Sequence, residues 1–399
     1  MTVKLLTGVR VLDLSRTVAG PAAGQMLADF GAEVIRVERP GTGDDLRQLG
    51  PTHLKDREGR RTNEGAMFLA VNRNKKGITA DLGNPAAQDL VRRLAAKCDV
   101  LIENYKVGDM KKFGLDYPAV SAVHPGIIYC SVTGYGQTGP YAARGGYDPS
   151  FQAMAGWMSV NGPSDDNPML AGANPADIMS GYNAALGILA ALYSRDRNHG
   201  RGQHIDVALL DVAVAAFSQR IQDYFVTGQQ PPRRDLLGVR YPCADGALIV
   251  NTANLGQWQG FCKVLGLPDV AADERYREYP GRVAHRATLY PMLQEHTRTW
   301  PRDKLFQALE AAGVPAAPIY DIAGMLQDPQ VRHRGLRIEV EHPLSGSVSL
   351  VANPIKFSDA AREADRAPPL LGQHTDEVLR GLLGLTDQEI GTLRRQGAI

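Results

Sequence analysis

One carboxylate in this chain stands apart from other charge. In the stretch Ala173–Ser194, ANPADIMSGYNAALGILAALYS, Asp177 is the only charged residue, and the next is Arg195. Pro175 before it and the small residues Ser180, Gly181, Ala184, Ala185 and Gly187 after it predict a helix that starts near Asp177 and packs closely on a neighbour. Two kinds of chemistry suit such a residue. As an N-cap, Asp177 would accept a hydrogen bond from a free N–H of the first helical turn, a contribution of about 0.5–2 kcal/mol. As a nucleophile or base, it would sit at the mouth of an apolar pocket, where desolvation raises its pKa and the helix N-terminus lowers it. Amide and basic residues at predicted strand ends form the second group: Arg39, Asn74, Lys75, Asn104 and Lys112. Taken singly, each cation also fits a solvated surface.

The elements that must position these residues follow from hydrophobic periodicity. VRVLDL and EVIRVE are β-type runs on either side of a helical PAAGQMLADFG, and GITADL, DVLIEN and GIIYCSVTGYG continue the strand series. NPAAQDLVRRLAAKC is a helix with Asn84 as cap and Pro85 at its first position. Strands alternating with helices of this length require right-handed crossovers and a parallel sheet covered on both faces. HIDVALLDVAVAAFSQRIQDYFVTG is expected to be helical, and the Pro- and Arg-rich QQPPRRD marks a boundary. Beyond it, GALIVNT and DKLFQALEAAG belong to a smaller domain, LRIEVEHP and GSVSLVANP form a hairpin, and the tail ends in two helices. The second is opened by the capping box of Thr386 and Glu389.

With 399 residues, 44% hydrophobic, 22% charged and a net charge of +1, the chain has a globular composition of two-domain length. No basic block suggests nucleic acid or an anionic membrane. Cys98, Cys130, Cys243 and Cys262 are far apart in sequence, which indicates neither a zinc site nor a disulfide framework and favours reduced thiols in the cytoplasm. The N-terminus has no signal-peptide pattern. The apolar run after Asp177 is interrupted by Ser180, Gly181, Asn183 and Gly187 and is expected to be a core helix, not a membrane span. Glu38 ends the second strand where a ribose-binding acid would stand, but the first loop, SRTVAGPAAG, lacks the glycines that let a pyrophosphate approach. Metalloprotease, serine-hydrolase and Walker motifs are absent. No metal and no permanently bound cofactor is expected.

The motifs GVRVLDLSRTVAGPAAGQMLADFGAEVIRVERPGTGD, NRNKKGITADL, DVLIENYKVGDMKKFGL, SVTGYGQTGP, DIMSGYNAALGILAAL, GRGQHIDVALLD, GVPAAPIYDI and APPLLGQHTDEVL occur in this order from Leu6 to the C-terminal helices. In this the chain resembles the class III CoA-transferases, a family of formyl-CoA, carnitine and bile-acid CoA-transferases and the related α-methylacyl-CoA racemases. The resemblance implies an α/β fold: a large Rossmann-like domain with a parallel sheet, a smaller α+β domain, and two subunits interlocked as rings. The expected boundaries are 1–225 for the N-terminal part of the large CoA-binding domain, 226–330 for the small domain, and 331–399 for a segment returning to the large one.

The same resemblance assigns Asp177 as the catalytic nucleophile, which would carry CoA as an aspartyl thioester. Coenzyme A or acyl-CoA is then the substrate and a carboxylic acid the partner molecule, with Arg39, Asn74, Lys75, Asn104 and Lys112 as CoA contacts. Arg16, Val18, Tyr147, Asp148, Arg240, Gly256 and Gln257 are candidates for the substrate end or a lid, together with Asn254. Formyl-CoA transferases carry Gln where Val18 stands and a long glycine loop where this chain has NTANLGQ. Both departures argue against oxalate and formate. Racemases carry His where Tyr147 stands, and a Tyr with a pKa near 10 is a poor base. The expectation is therefore a CoA-transferase for short dicarboxylates such as succinyl-CoA, with Arg16, Arg144 and Arg240 as candidate partners of the second carboxylate. Formyl-CoA:oxalate transfer, racemisation and an inactive CoA-binding protein are the alternatives.

Overall fold

Alternation of short β-branched runs with amphipathic helices produces a six-stranded sheet at the centre of the larger unit. Its order is Lys76–Thr79, Glu33–Glu38, Arg10–Asp13, Val100–Glu103, Ile128–Thr133, His204–Ala208, and every neighbouring pair is parallel. In chain order this is 3-2-1-4-5-6, so the direction of winding reverses between Arg10–Asp13 and Val100–Glu103, and a crevice opens beyond the carboxyl ends of those two strands. The computed structural model describes residues 5–164, 166–231, 238–359 and 365–399. It divides into residues 1–228 with 335–399 as one compact unit and 229–334 as another.

Each face of the sheet carries its own core. On one, Ala23, Leu27, Ala184, Ala185 and Ile188 pack on Val11, Val100, Ile128 and Val207. On the other, Leu90, Val91 and Leu94 of the helix Pro85–Ala95 meet Leu12, Ile35, Ile78 and Leu101. There the returning C-terminal segment completes the cover with Val378, Leu379, Ile390 and Ala398. The segment is also tied to the edge strand: His374 N–H donates to the Gly77 carbonyl (2.8 Å), Gly77 N–H donates to His374 Nδ1 (3.1 Å), and Asp81 N–H donates to the Ala398 carbonyl (2.9 Å).

The smaller unit is built on an antiparallel sheet of Gly238–Cys243, Gly246–Asn251 and Ala316–Pro318, packed on Trp258, Phe261, Leu289 and Leu305. The expected helix caps at Asn84 and Thr386 are present, and the hairpin pairs Arg337–His342 with Gly346–Val351. One expectation needs correction. HIDVA is the sixth sheet strand, and the helices Leu209–Ala216 and Ser218–Thr227 begin only after it. A hairpin, His53–Lys55 with Arg61–Gly65, lies in a region with no clear alternation of apolar residues. Residues 232–237, the core of the proposed boundary stretch, lie outside the described residues. Among the described residues no helix is long and apolar enough to cross a membrane.

Candidate active site

Asp177 is not the cap of its helix. The helix runs Pro175–Arg197, entered through Ala173 and Asn174, both with positive φ (67° and 51°), and Asp177 lies in its first turn. The cap comes from elsewhere: Asp177 N–H donates to Asp148 Oδ2 (3.0 Å). Asp148 is buried at the start of the helix Asp148–Met154 and also accepts from Gln152 Nε2. Gln152 then clamps both backbone groups of Ala171 (2.9 and 3.1 Å), which fixes the approach to the Asp177 helix.

The Asp177 carboxyl itself has no hydrogen bond or ion pair among the described residues. Burial, followed by the negative charge of Asp148, pushes its pKa up to about 7. Such a carboxylate is more basic than an ordinary Asp and remains substantially ionised at neutral pH.

Close helix packing supplies the opposite wall. A Cβ at Gly181 would lie 2.6 Å from the Ala19 carbonyl oxygen and 2.8 Å from Ala22 Cβ. Only glycine lets the helix Ala19–Asp29 approach this near, and Val18 and Ala22 cluster with Ile178 beside Asp177. The loop before that helix is held by its backbone. Arg16 exchanges two 2.7 Å bonds with the Asn104 amide, donating through its N–H and accepting through its carbonyl. Thr17 adopts φ 60° and donates its N–H to both oxygens of Asp44 (3.1 and 3.3 Å). A β-branched residue in this conformation is strained, and the buried Arg36–Asp44 pair holds its anchor in place.

A cavity of about 720 Å³ results, lined by Arg16, Val18, Asn104, Arg144, Tyr147, Asp148 and Asp177 among others. A narrower cleft of about 90 Å³ lies at the crevice beyond the sheet and is lined by Arg39, Asp81, Tyr105 and Phe113; Arg16, Asp45 and Tyr105 belong to both spaces. Thr17, Asp45 and Lys106 also line the larger cavity and had no signal in the sequence that separated them from surface residues.

The remaining expected residues are placed differently. Lys75 is buried, its Nζ bonded to Asp13 (2.9 Å), Asn72 (2.9 Å) and the Pro21 carbonyl (2.7 Å), and burial pulls its pKa down to about 8. Asn74 is buried as well, with Nδ2 donating to Asp29 and Oδ1 accepting from Arg366 N–H. Both side chains have internal partners and line neither space. Lys112 is a surface residue paired with Asp109 (2.6 Å) and also lines neither. Arg240 lies in the smaller unit, exposed on Gly238–Cys243. Asn254 and Gln257 form the capping box of the helix Leu255–Leu265, and Gly256 lies in its first turn. NTANLGQ is thus a strand-to-helix turn, and its Asn254 and Gln257 side chains are spent on capping.

Fold and site together define a doubly wound α/β protein with a partly desolvated carboxylate, unpaired among the described residues, at a cavity beside the switch-point crevice. The comparisons with known proteins assign it further. The description CoA-transferase family III matches residues 6–375, and the chain belongs to that family. Succinate–glutarate CoA-transferase of Agrobacterium fabrum is 43% identical over 386 residues, covering 94% of this chain and 95% of that one. Formyl-CoA:oxalate CoA-transferase of Rhodopseudomonas palustris is 31% identical over 424 residues, covering 99% and 97%. The crystal structure of a CAIB/BAIF family protein from Brucella suis superposes with a TM-score of 0.86 at 40% identity, covering 94% and 99%. The protein is a family III CoA-transferase, and CoA thioesters are its substrates.

Proposed function

We propose that this enzyme moves CoA between short dicarboxylic acids, with a donor such as succinyl-CoA and a C4–C6 acid as acceptor, through an aspartyl-CoA thioester on Asp177. The observation that carries the chemistry is the Asp177 carboxylate, unpaired among the described residues, desolvated and facing the cavity. The similarity to the succinate–glutarate enzyme supports the substrate class.

Each half of the reaction balances without any other group. An Asp177 oxygen attacks the thioester carbonyl, the C–S bond breaks, and CoA thiolate leaves a mixed anhydride behind. The thiolate then attacks the Asp177 carbonyl carbon and expels the donor acid as its carboxylate, which leaves CoA on the enzyme. The acceptor repeats both steps in reverse. Splitting the transfer lowers each barrier, and water must be excluded while the anhydride exists. The apolar wall of Val18, Ala22 and Ile178 suits that need. Arg39 and Arg16, which line the cleft at the crevice, would meet the nucleotide and its phosphates in this reading, and Asn104 hydrogen-bonds the Arg16 backbone.

Two subunits, interlocked, complete the proposed enzyme. Tyr182, Leu186 and Tyr193 fall within about 40° of one another around the Asp177 helix and are exposed, as are Phe225 and Val226. Its four free cysteines fit the cytoplasm.

A matrix of acyl-CoA donors against carboxylic acids, read by mass spectrometry, tests the substrates. Succinyl-CoA with C4–C6 diacids should be fastest, and faster turnover of formyl-CoA with oxalate would overturn the assignment. Incubation with donor should add CoA or acyl mass to the Asp177 peptide, and Asp177→Ala should abolish transfer while CoA affinity stays within about tenfold. An unmodified peptide in an active sample would sink the covalent route.

A further inference from the structure

Transfer between dicarboxylates poses a recognition problem that Asp177 does not solve. One carboxyl group reacts, and the other must be held in a partly desolvated cavity, where an unpaired charge is costly. Three cationic side chains line that cavity: Arg16, Lys106 and Arg144. Arg16 also lines the narrow cleft at the switch point, with its guanidinium over the Tyr105 ring (4.7 Å), on the side where the nucleotide is proposed to bind. Lys106 is a flexible point charge without the planar fork that matches a carboxylate.

Arg144 differs from both. Its guanidinium carbon lies over the Tyr141 ring, 3.9 Å from the centroid, a cation–π contact that restrains a side chain carrying five N–H donors. Among the described residues those donors have no carboxylate partner. The stack belongs to a rigid column. Tyr141 packs edge-on against Tyr135 (5.6 Å), and Tyr135 against Phe151 (5.3 Å), in the helix whose Asp148 caps the Asp177 backbone. The chain between Arg144 and Asp148 is pressed onto the same Phe151: a Cβ at Gly146 would lie 2.5 Å from its ring, and one at Gly134 2.8 Å. Arg144 and Asp177 are therefore referenced to a single helix.

We propose that Arg144 is the specificity-determining residue of this enzyme, receiving the second carboxylate of the dicarboxylate while the first reacts at Asp177. The inference rests on the dicarboxylate reading above. It is tested with kcat/KM for glutarate and for butyrate as acceptors from succinyl-CoA, in the wild type and in Arg144→Gln, Arg144→Lys, Arg16→Gln and Lys106→Gln. For Arg144→Gln the glutarate value should fall roughly 10–100-fold, mostly through KM, with a loss for butyrate at least tenfold smaller. Arg144→Lys should recover part of the glutarate preference, because charge remains and the fork is lost. The Arg144 side chain is exposed, so Arg144→Gln and Arg144→Lys should keep the wild-type melting temperature. An unchanged glutarate-to-butyrate ratio in Arg144→Gln, or a collapse of that ratio only in Arg16→Gln or Lys106→Gln, overturns the assignment. A wild type that turns over butyrate as fast as glutarate overturns the dicarboxylate reading itself, a separate result visible before any variant is made, and this inference falls with it.

Discussion

At Asp177 two opposing influences act on one carboxyl group. The first helical turn favours the anion through its free N–H groups and dipole, while burial and the neighbouring charge of Asp148 favour the acid and prevail, raising the pKa to about 7. A nucleophile must be ionised, so kcat/KM, which reports the free enzyme, should rise as pH increases through about 7 and then level off. Removing the Asp148 charge with Asp148→Asn should move that midpoint down, because the anion then has no negative neighbour. A pH–rate profile of both enzymes checks this, and a midpoint that stays fixed or moves up would mean that Asp148 acts only as a cap. The sequence showed that Asp177 was isolated, but not that its amide is capped from 29 residues away. Position alone fits Asp177 as its own cap, and nothing local to ANPADIM reveals a partner supplied by another helix.

The active cavity depends on how closely the helices Ala19–Asp29 and Pro175–Arg197 approach. Gly181 sits at their contact, where an added methyl would meet the Ala19 carbonyl oxygen at 2.6 Å, a backbone atom that cannot rotate away. Gly181→Ala should therefore push the first helix off the second, at a cost of about 1–3 kcal/mol. Because Val18 and Ala19 line the cavity, acyl-transfer activity should fall more than stability alone explains. Thermal melts and kcat/KM measured together decide this; a variant with lowered stability and wild-type turnover would show that the wall tolerates the shift. Such elements were legible where a local rule governs them. EVIRVE is the strand Glu33–Glu38, and Asn84 with Pro85 opens its helix as expected. In HIDVA the sequence points to helix because the helical periodicity of the following residues extends back over it, whereas pairing with Ile128–Thr133 at the sheet edge makes it a strand. Lys75 and Asn74 carry a sequence signal that fits phosphate binding equally well. Only the fold shows the buried Asp13 and Asp29 that take up their polar groups.

Over the whole molecule, the parallel sheet and its two cores need chain from both ends, and the C-terminal segment closes one face through Val378, Leu379, Ile390 and Ala398. The other face has the opposite character. The long helix buries Ser180, Gly181, Ala184, Ala185 and Ile188 and turns Tyr182, Leu186 and Tyr193 outward, with Leu186 66% exposed. Phe225 and Val226 are 71% and 76% exposed in the helix Ser218–Thr227. A monomer gains nothing from large apolar side chains in water, and their number on two helices is what a second subunit would cover. If the two chains are interlocked as proposed, they cannot separate by diffusion, and loss of the dimer must accompany unfolding. Sedimentation velocity on labelled protein should then show a dimer down to nanomolar concentration. In a denaturant titration the monomer should appear only with loss of the far-ultraviolet helical signal. Mixing two differently tagged preparations under native conditions should give no heterodimer over days, whereas co-refolding them should. A folded monomer on dilution, or rapid subunit exchange, would leave a dimer that is docked and not interlocked, with these exposed residues as an ordinary interface.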